Sequence, residues 1–186
     1  MCKIIKIIFI QRYIIFIITF IIILLSCNKF ENKNDLIVKK FQNAHIDLID
    51  SLKYFNIKSG WMQKPIMQKN KIIIYLNGGC EDCIYELLYW KTIINEFKKS
   101  KVSFLFYVNT LDMNQLIDKL KYMDFIYPVI IDTKNSFFIK NKLDKSKMYQ
   151  VFLITNKNKI ILIGNPIINK EIHNLYKKTI NNLKYE

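Results

Sequence analysis

The spacing of apolar and polar positions divides the chain into segments of different period. Tyr13 to Leu25 is an apolar run of 13 residues, followed by the polar stretch Asn28 to Asp35, which reads as a tether. Across 36–55, Ile37, Phe41, Ala44 or His45, Leu48, Leu52 and Phe55 recur at helical spacing and predict an amphipathic helix. Residues 59–70, with Gly60 and Pro65, read as a loop. From Lys71 the period changes. Lys71 to Leu76 is a short β-branched run that predicts a buried strand, punctuated by Asn77-Gly78-Gly79. A helix then starts near Cys80 with Ile84, Leu87, Leu88, Ile94 and Phe97 as its buried stripe. Val102 to Val108 is a second strand. Asp112 and Gln115 form a capping pair that opens a helix carrying Met113, Leu116, Ile117 and Leu120. Pro128 to Ile131 is a third strand, Asn135 to Lys142 a short helix, and 149–155 with 160–163 a hairpin across the turn Asn156 to Lys159. Gly164-Asn165-Pro166 precedes a last helix with Ile172, Leu175, Tyr176, Ile180 and Leu183. Strands alternating with helices, closed by an antiparallel pair, predict an α/β fold: a central mixed sheet with helices on both faces, preceded by an extra N-terminal helix. The expected layout is 1–26 leader, 27–35 tether, 36–70 leading helix and loop, and 71–186 folded domain.

The leader changes where this domain is expected to work. Lys3, Lys6 and Arg12 precede the apolar run, which is shorter than the ~20 residues of a spanning helix and suits a signal peptide. Leu24-Leu25-Ser26-Cys27 resembles a bacterial lipobox, with an aliphatic residue at −3, a small one at −1 and Cys at +1. Leu25 is bulkier than the usual −2 residue. The resemblance implies cleavage before Cys27 and acylation of Cys27 (palmitate among the chains), giving a lipoprotein of the bacterial cell envelope on a periplasmic or surface face. A signal anchor that stays uncleaved is the alternative. In both, the folded part lies outside the cytoplasm, and Cys2 carries no argument.

Composition removes several function classes. Apolar residues make up 51% of the chain, which excludes wholesale disorder. The net charge is +14, but the bias toward Ile, Lys, Asn, Tyr and Phe fits AT-rich coding, and Arg12 is the sole arginine. Nucleic-acid binding needs Lys and Arg clustered on one element with interleaved aromatics, so no nucleic-acid partner is expected. Attraction of a tethered basic protein to an anionic membrane fits better.

The chemistry rests on Cys80-Glu81-Asp82-Cys83. A strand, a tight turn and Cys-x-x-Cys at a helix start resemble the thioredoxin-like oxidoreductases over about Lys71 to Lys184. Tyr127-Pro128-Val-Ile-Ile-Asp132 and Phe152 to Ile160 look like segments of the TlpA-type branch, and the chain is similar to thioredoxin-like lipoproteins of the Bacteroidetes. The resemblance implies a thioredoxin-like fold and a redox-active disulfide, with no bound cofactor and no metal. Three positions depart from that pattern. Gly79 stands where a Trp usually precedes the first Cys, and Ile74 where a buried carboxylate or amide often lies. Tyr149 or Gln150 occupies the position of a substrate-facing cis-proline.

Thiol–disulfide exchange needs an attacking thiolate and a second thiol to resolve the mixed disulfide. A Cys at a helix N-terminus has its thiolate favoured by unpaired N–H groups and the helix dipole, so Cys80 is the expected nucleophile and Cys83 the resolver. Glu81 and Asp82 disfavour a nearby thiolate and bias the pair toward a reductant; alternatively they are helix-start charges of no further consequence. The expected function is an exported, membrane-anchored reductant of protein disulfides, drawing on a membrane electron donor. Alternatives are a binding module with a structural or relic disulfide, and a copper or cytochrome-assembly factor, though no Met- or His-rich patch adjoins Cys80. Zinc needs further ligands, and only His45 and His173 are available, each on a predicted helix with no carboxylate partner visible in sequence. Trp61, Trp90 and the tyrosines read as core or rim aromatics.

Overall fold

The computed structural model describes residues 40–41 and 44–183. The expected leader 1–26 and the tether 27–35, with Cys27, lie outside the described residues. Seven strands form one mixed sheet in the order β2-β1-β5-β4-β3-β6-β7. They are β1 (Lys53–Asn56), β2 (Gly60–Met62), β3 (Asn70–Asn77), β4 (Val102–Asn109), β5 (Val129–Asp132), β6 (Val151–Ile154) and β7 (Ile160–Ile163). The helices are α1 (Glu81–Glu96), α2 (Met113–Tyr122), α3 (Ser136–Lys140) and α4 (Lys170–Asn182). From β3 onward the elements follow the order the periodicity predicts.

The middle of the sheet explains why these runs are strands. β3 and β4 pair in parallel from Asn70↔Val102 to Asn77↔Asn109, and β4 continues in parallel to β5. A parallel strand covered on both faces reads as a continuous apolar run. In β3, Ile72, Ile74 and Leu76 enter one core while Ile73 and Tyr75 enter the other. The first core carries α1, α2 and α4 through Leu87, Trp90, Leu116, Leu120, Tyr176 and Ile180. Trp90 is fully buried and meets Phe106 edge-on at 5.8 Å between ring centroids. The second core carries α3 through Phe137, whose ring stacks on Tyr107 at 3.9 Å. Trp61 is a rim aromatic on β2, edge-on to Phe55.

The expected helix over 36–55 does not hold from Ala44 onward. Lys40 and Phe41 are helical, but 44–52 is extended and irregular, and Lys53–Asn56 is a strand paired antiparallel to β5. Residues 36–39 and 42–43 lie outside the described residues. Ile46, only 1% exposed, alternates with exposed His45 and Asp47, a period of two rather than 3.6. Tertiary partners hold the backbone: Asp47 N donates to Asn141 Oδ1 (2.7 Å), Ile49 N to Tyr107 Oη (3.4 Å), and His45 bridges Lys159. The face that α3 leaves partly bare is therefore covered by extended chain. β1 and β2, in the region expected to be helix and loop, also protect the open edge of β5.

Candidate redox site

The site grows from the end of β3. Asn77 closes the strand, and its Oδ1 accepts from Gly79 N (3.0 Å) while its carbonyl accepts from Cys80 N (3.1 Å). That Asx turn reverses the chain within three residues. Gly78 is required by close approach: its N donates to Asn109 O at 2.6 Å, and a Cβ there would lie 2.6 Å from the same oxygen. Gly79 faces open space apart from Asn77 Oδ1 at 3.4 Å, so nothing steric excludes a larger residue there.

Cys80 is the N-cap of α1, extended at φ −102° and ψ 113°, and its carbonyl accepts from Cys83 N and Ile84 N. It forms a disulfide with Cys83 across a Cα separation of 5.2 Å. The two sulfurs differ in access. Cys80 is partly exposed, whereas Cys83 is 5% exposed, one turn deeper. Glu81 and Asp82 are exposed on the first turn and point their charge to solvent. Ile74 is buried in the first core, so no polar group lies at that position of β3.

Behind Cys83 is a cleft of about 10 Å³, lined by Tyr75, Leu76, Asn77, Glu86, Lys147, Gln150 and Asn165. That is the room of about one water molecule. Glu86 is the group that inspection of the sequence missed. Its side chain is 12% exposed, its Oε1 lies 3.4 Å from Lys147 Nζ, and its Oε2 accepts from Asn165 Nδ2 at 3.2 Å. The signal was present, because i, i+3 spacing from Cys83 puts Glu86 on the same helix face. Burial, reinforced by the charge of Asp132, pushes the Tyr75 hydroxyl up to about 12 against the opposing hydrogen bond with Asn135. Tyr75 thus keeps its proton at neutral pH.

The two residues expected at the substrate-facing position separate. Tyr149 ends a single 3-10 turn (Lys147–Tyr149) and packs against the second core. Gln150 is the residue immediately before β6 and lines the cleft with Cys83. Its carbonyl accepts from Tyr75 N (3.0 Å) and its Nε2 donates to Asp144 O (2.9 Å), which fixes both backbone and side chain. Among the described residues every peptide bond is trans.

Of the two histidines expected on helices, one is on a helix and one is not. His45 lies on extended chain. His173 does sit on α4, but it has a carboxylate partner, with Nε2 2.8 Å from Glu96 Oε2. Burial alone would raise Glu96, but hydrogen bonds from Lys177 and His173 outweigh it and hold the carboxyl below the usual range. This cluster ties α4 to the far end of α1. Among the described residues no three His, Cys, Asp or Glu side chains converge as a metal site would require.

No protein-family model matches the sequence, and no curated protein sequence matches it. Solved structures do match. The thioredoxin domain of a thiol–disulfide oxidoreductase from Bacteroides vulgatus superposes with a TM-score of 0.56 at 13% identity, over 75% of this chain and 97% of that one. A Chlorobium tepidum protein named for thiol:disulfide interchange gives 0.55 at 11% identity, over 75% and 96%. A Bacteroides thetaiotaomicron protein named for disulfide isomerase activity gives 0.55 at 17%, over 78% and 95%. With a mixed sheet, a Cys-x-x-Cys disulfide at a helix start and these neighbours, the chain has the thioredoxin-like fold of thiol–disulfide oxidoreductases.

Proposed function

We propose that this protein is an exported, lipid-anchored thiol–disulfide oxidoreductase that reduces protein disulfides through Cys80 and Cys83. The observation that carries the reading is the asymmetry of the pair: a reachable sulfur at the helix start, and a second sulfur buried one turn below it. In the reducing direction the Cys80 thiolate attacks one sulfur of a substrate disulfide, forming a mixed disulfide and expelling the other substrate sulfur as thiolate. The Cys83 thiolate then attacks Cys80, releasing the second substrate thiolate and closing Cys80–Cys83. Two electrons pass to the substrate, and a dithiol donor at the membrane returns them. Glu86 is suited to accept the Cys83 proton before the second attack, since it lines the same cleft. Glu81 and Asp82 oppose the Cys80 thiolate and favour the reductant direction.

A second reading draws on Gly79 and Gln150, where the resemblance leads one to expect Trp and cis-proline: a binding module with a structural disulfide. That disulfide spans only three positions and so removes little chain entropy. Insulin reduction in the presence of excess small dithiol separates the two. The wild type should accelerate precipitation of the insulin B chain, and Cys80→Ser should return it to the uncatalysed rate. Equal rates for wild type and variant would select the binding module.

A further inference from the structure

Three turns meet at the end of the sheet farthest from Cys80. β3 leaves this end at Asn70 beside the start of β4 at Val102, and β6 arrives there at Ile154 opposite Lys71. The chain joining β2 to β3 brings Lys69, the turn from α1 to β4 brings Lys98, Lys99 and Lys101, and the hairpin turn brings Lys157 and Lys159. All six are exposed. No Asp or Glu occurs in 63–71, 97–101 or 155–160. Two carboxylates that border these segments are already engaged, Glu96 by His173 and Lys177 and Asp50 by Lys64. Between the turns is an open depression of about 510 Å³, lined by Lys69 and Lys101 with Gln68, Asn70, Thr155, Asn156 and the end of α4 at Leu183. Ammonium, amide and hydroxyl groups there can all donate to phosphate oxygens.

The opposite end differs in sign pattern. Lys134, Lys145 and Lys147 follow the strand ends there, but they are interleaved with Glu81, Asp82, Glu86, Asp112 and Asp144. Compositional bias toward Lys scatters lysines evenly; it does not leave three neighbouring segments without an Asp or Glu.

We propose that this lysine-lined end is a docking surface for an anionic phospholipid bilayer, so that the domain rests on its basic turns with Cys80 directed away from the lipid. Each Lys near an anionic surface adds to the attraction, and several together orient a tethered domain without inserting any apolar group. The inference rests on the membrane-attached reading for what brings the surface close.

Lysine acetylation of the full chain on vesicles, read residue by residue by mass spectrometry, tests it. On phosphatidylcholine vesicles containing phosphatidylglycerol, Lys69, Lys98, Lys99, Lys101 and Lys157 should label more slowly than on pure phosphatidylcholine, on the order of tenfold. Lys134 and Lys145 should not change. Protection should vanish near 1 M salt, where the Debye length is about 3 Å. The triple variant Lys98→Glu, Lys99→Glu, Lys101→Glu should also lose protection at Lys69 and Lys157. Vesicle flotation scores attachment separately. Flotation on both lipids with equal labelling overturns the docking surface while leaving the anchor standing. Flotation with protection on anionic vesicles alone supports the surface and removes the anchor. No flotation on either removes both.

Discussion

Glu86 lies one helical turn beyond Cys83 on α1, and the two side chains line one cleft behind the disulfide. The pairing places an acidic group beside the thiol that must lose its proton last. Lys147 and Asn165 hold the carboxylate from two other segments, so its position depends on the closed fold.

Replacing Glu86 by Gln keeps shape and removes charge. A carboxylate disfavours a neighbouring thiolate, and its removal also leaves the Lys147 ammonium unpaired beside the cleft. In a Cys80→Ser background the Cys83 pKa should fall by on the order of one unit. Ultraviolet thiolate absorbance against pH reads this directly. An unchanged titration means Glu86 only braces Lys147 and Asn165.

The unequal exposure of the two sulfurs predicts a polar trap. Cys83→Ser should accumulate mixed disulfides with partner proteins, because the resolving attack is gone. Cys80→Ser should accumulate far fewer, since its remaining thiol is buried. Comparable adducts on non-reducing gels for both variants would refute the division of roles.

Glu81 and Asp82 act on Cys80 from the first turn of α1, where both are exposed. The double variant Glu81→Gln, Asp82→Asn should lower the Cys80 pKa by on the order of one unit. It should therefore alkylate faster near neutral pH and show a higher reduction potential against glutathione. If neither moves beyond error, the pair is simply a solvated helix start.

The turn itself makes a sharp steric contrast. Gly78→Ala drives a Cβ to 2.6 Å from Asn109 O and 2.9 Å from Thr110 Cβ, contacts with backbone and a short side chain that cannot retreat. A loss of ~1–3 kcal/mol in urea unfolding is expected. Gly79→Ala meets only Asn77 Oδ1 at 3.4 Å and should stay within about 0.5 kcal/mol of wild type. Equal losses at both positions would mean that the turn relaxes around Gly78.

What the sequence by itself determined is the part of the protein set by local rules. Short apolar runs over 71–76 and 102–108, a helical stripe from Ile84 to Phe97, and the Asp112 cap are each decided within a few residues, and the cap is present with Gln115 N donating to Asp112 Oδ1. The same locality placed Cys80 and Cys83 on the first turn of α1. Tertiary structure decided whatever depends on residues far apart in the chain. The segment 44–52 carries apolar residues compatible with either period, and it became extended because Asn141 and Tyr107 satisfy its backbone and the second sheet face needed cover. Lys147 and Asn165 reach Glu86 across 61 and 79 positions, by the return of the chain before β6 and after β7. No local pattern announces that meeting, because it is made only when the sheet closes and removes those groups from water.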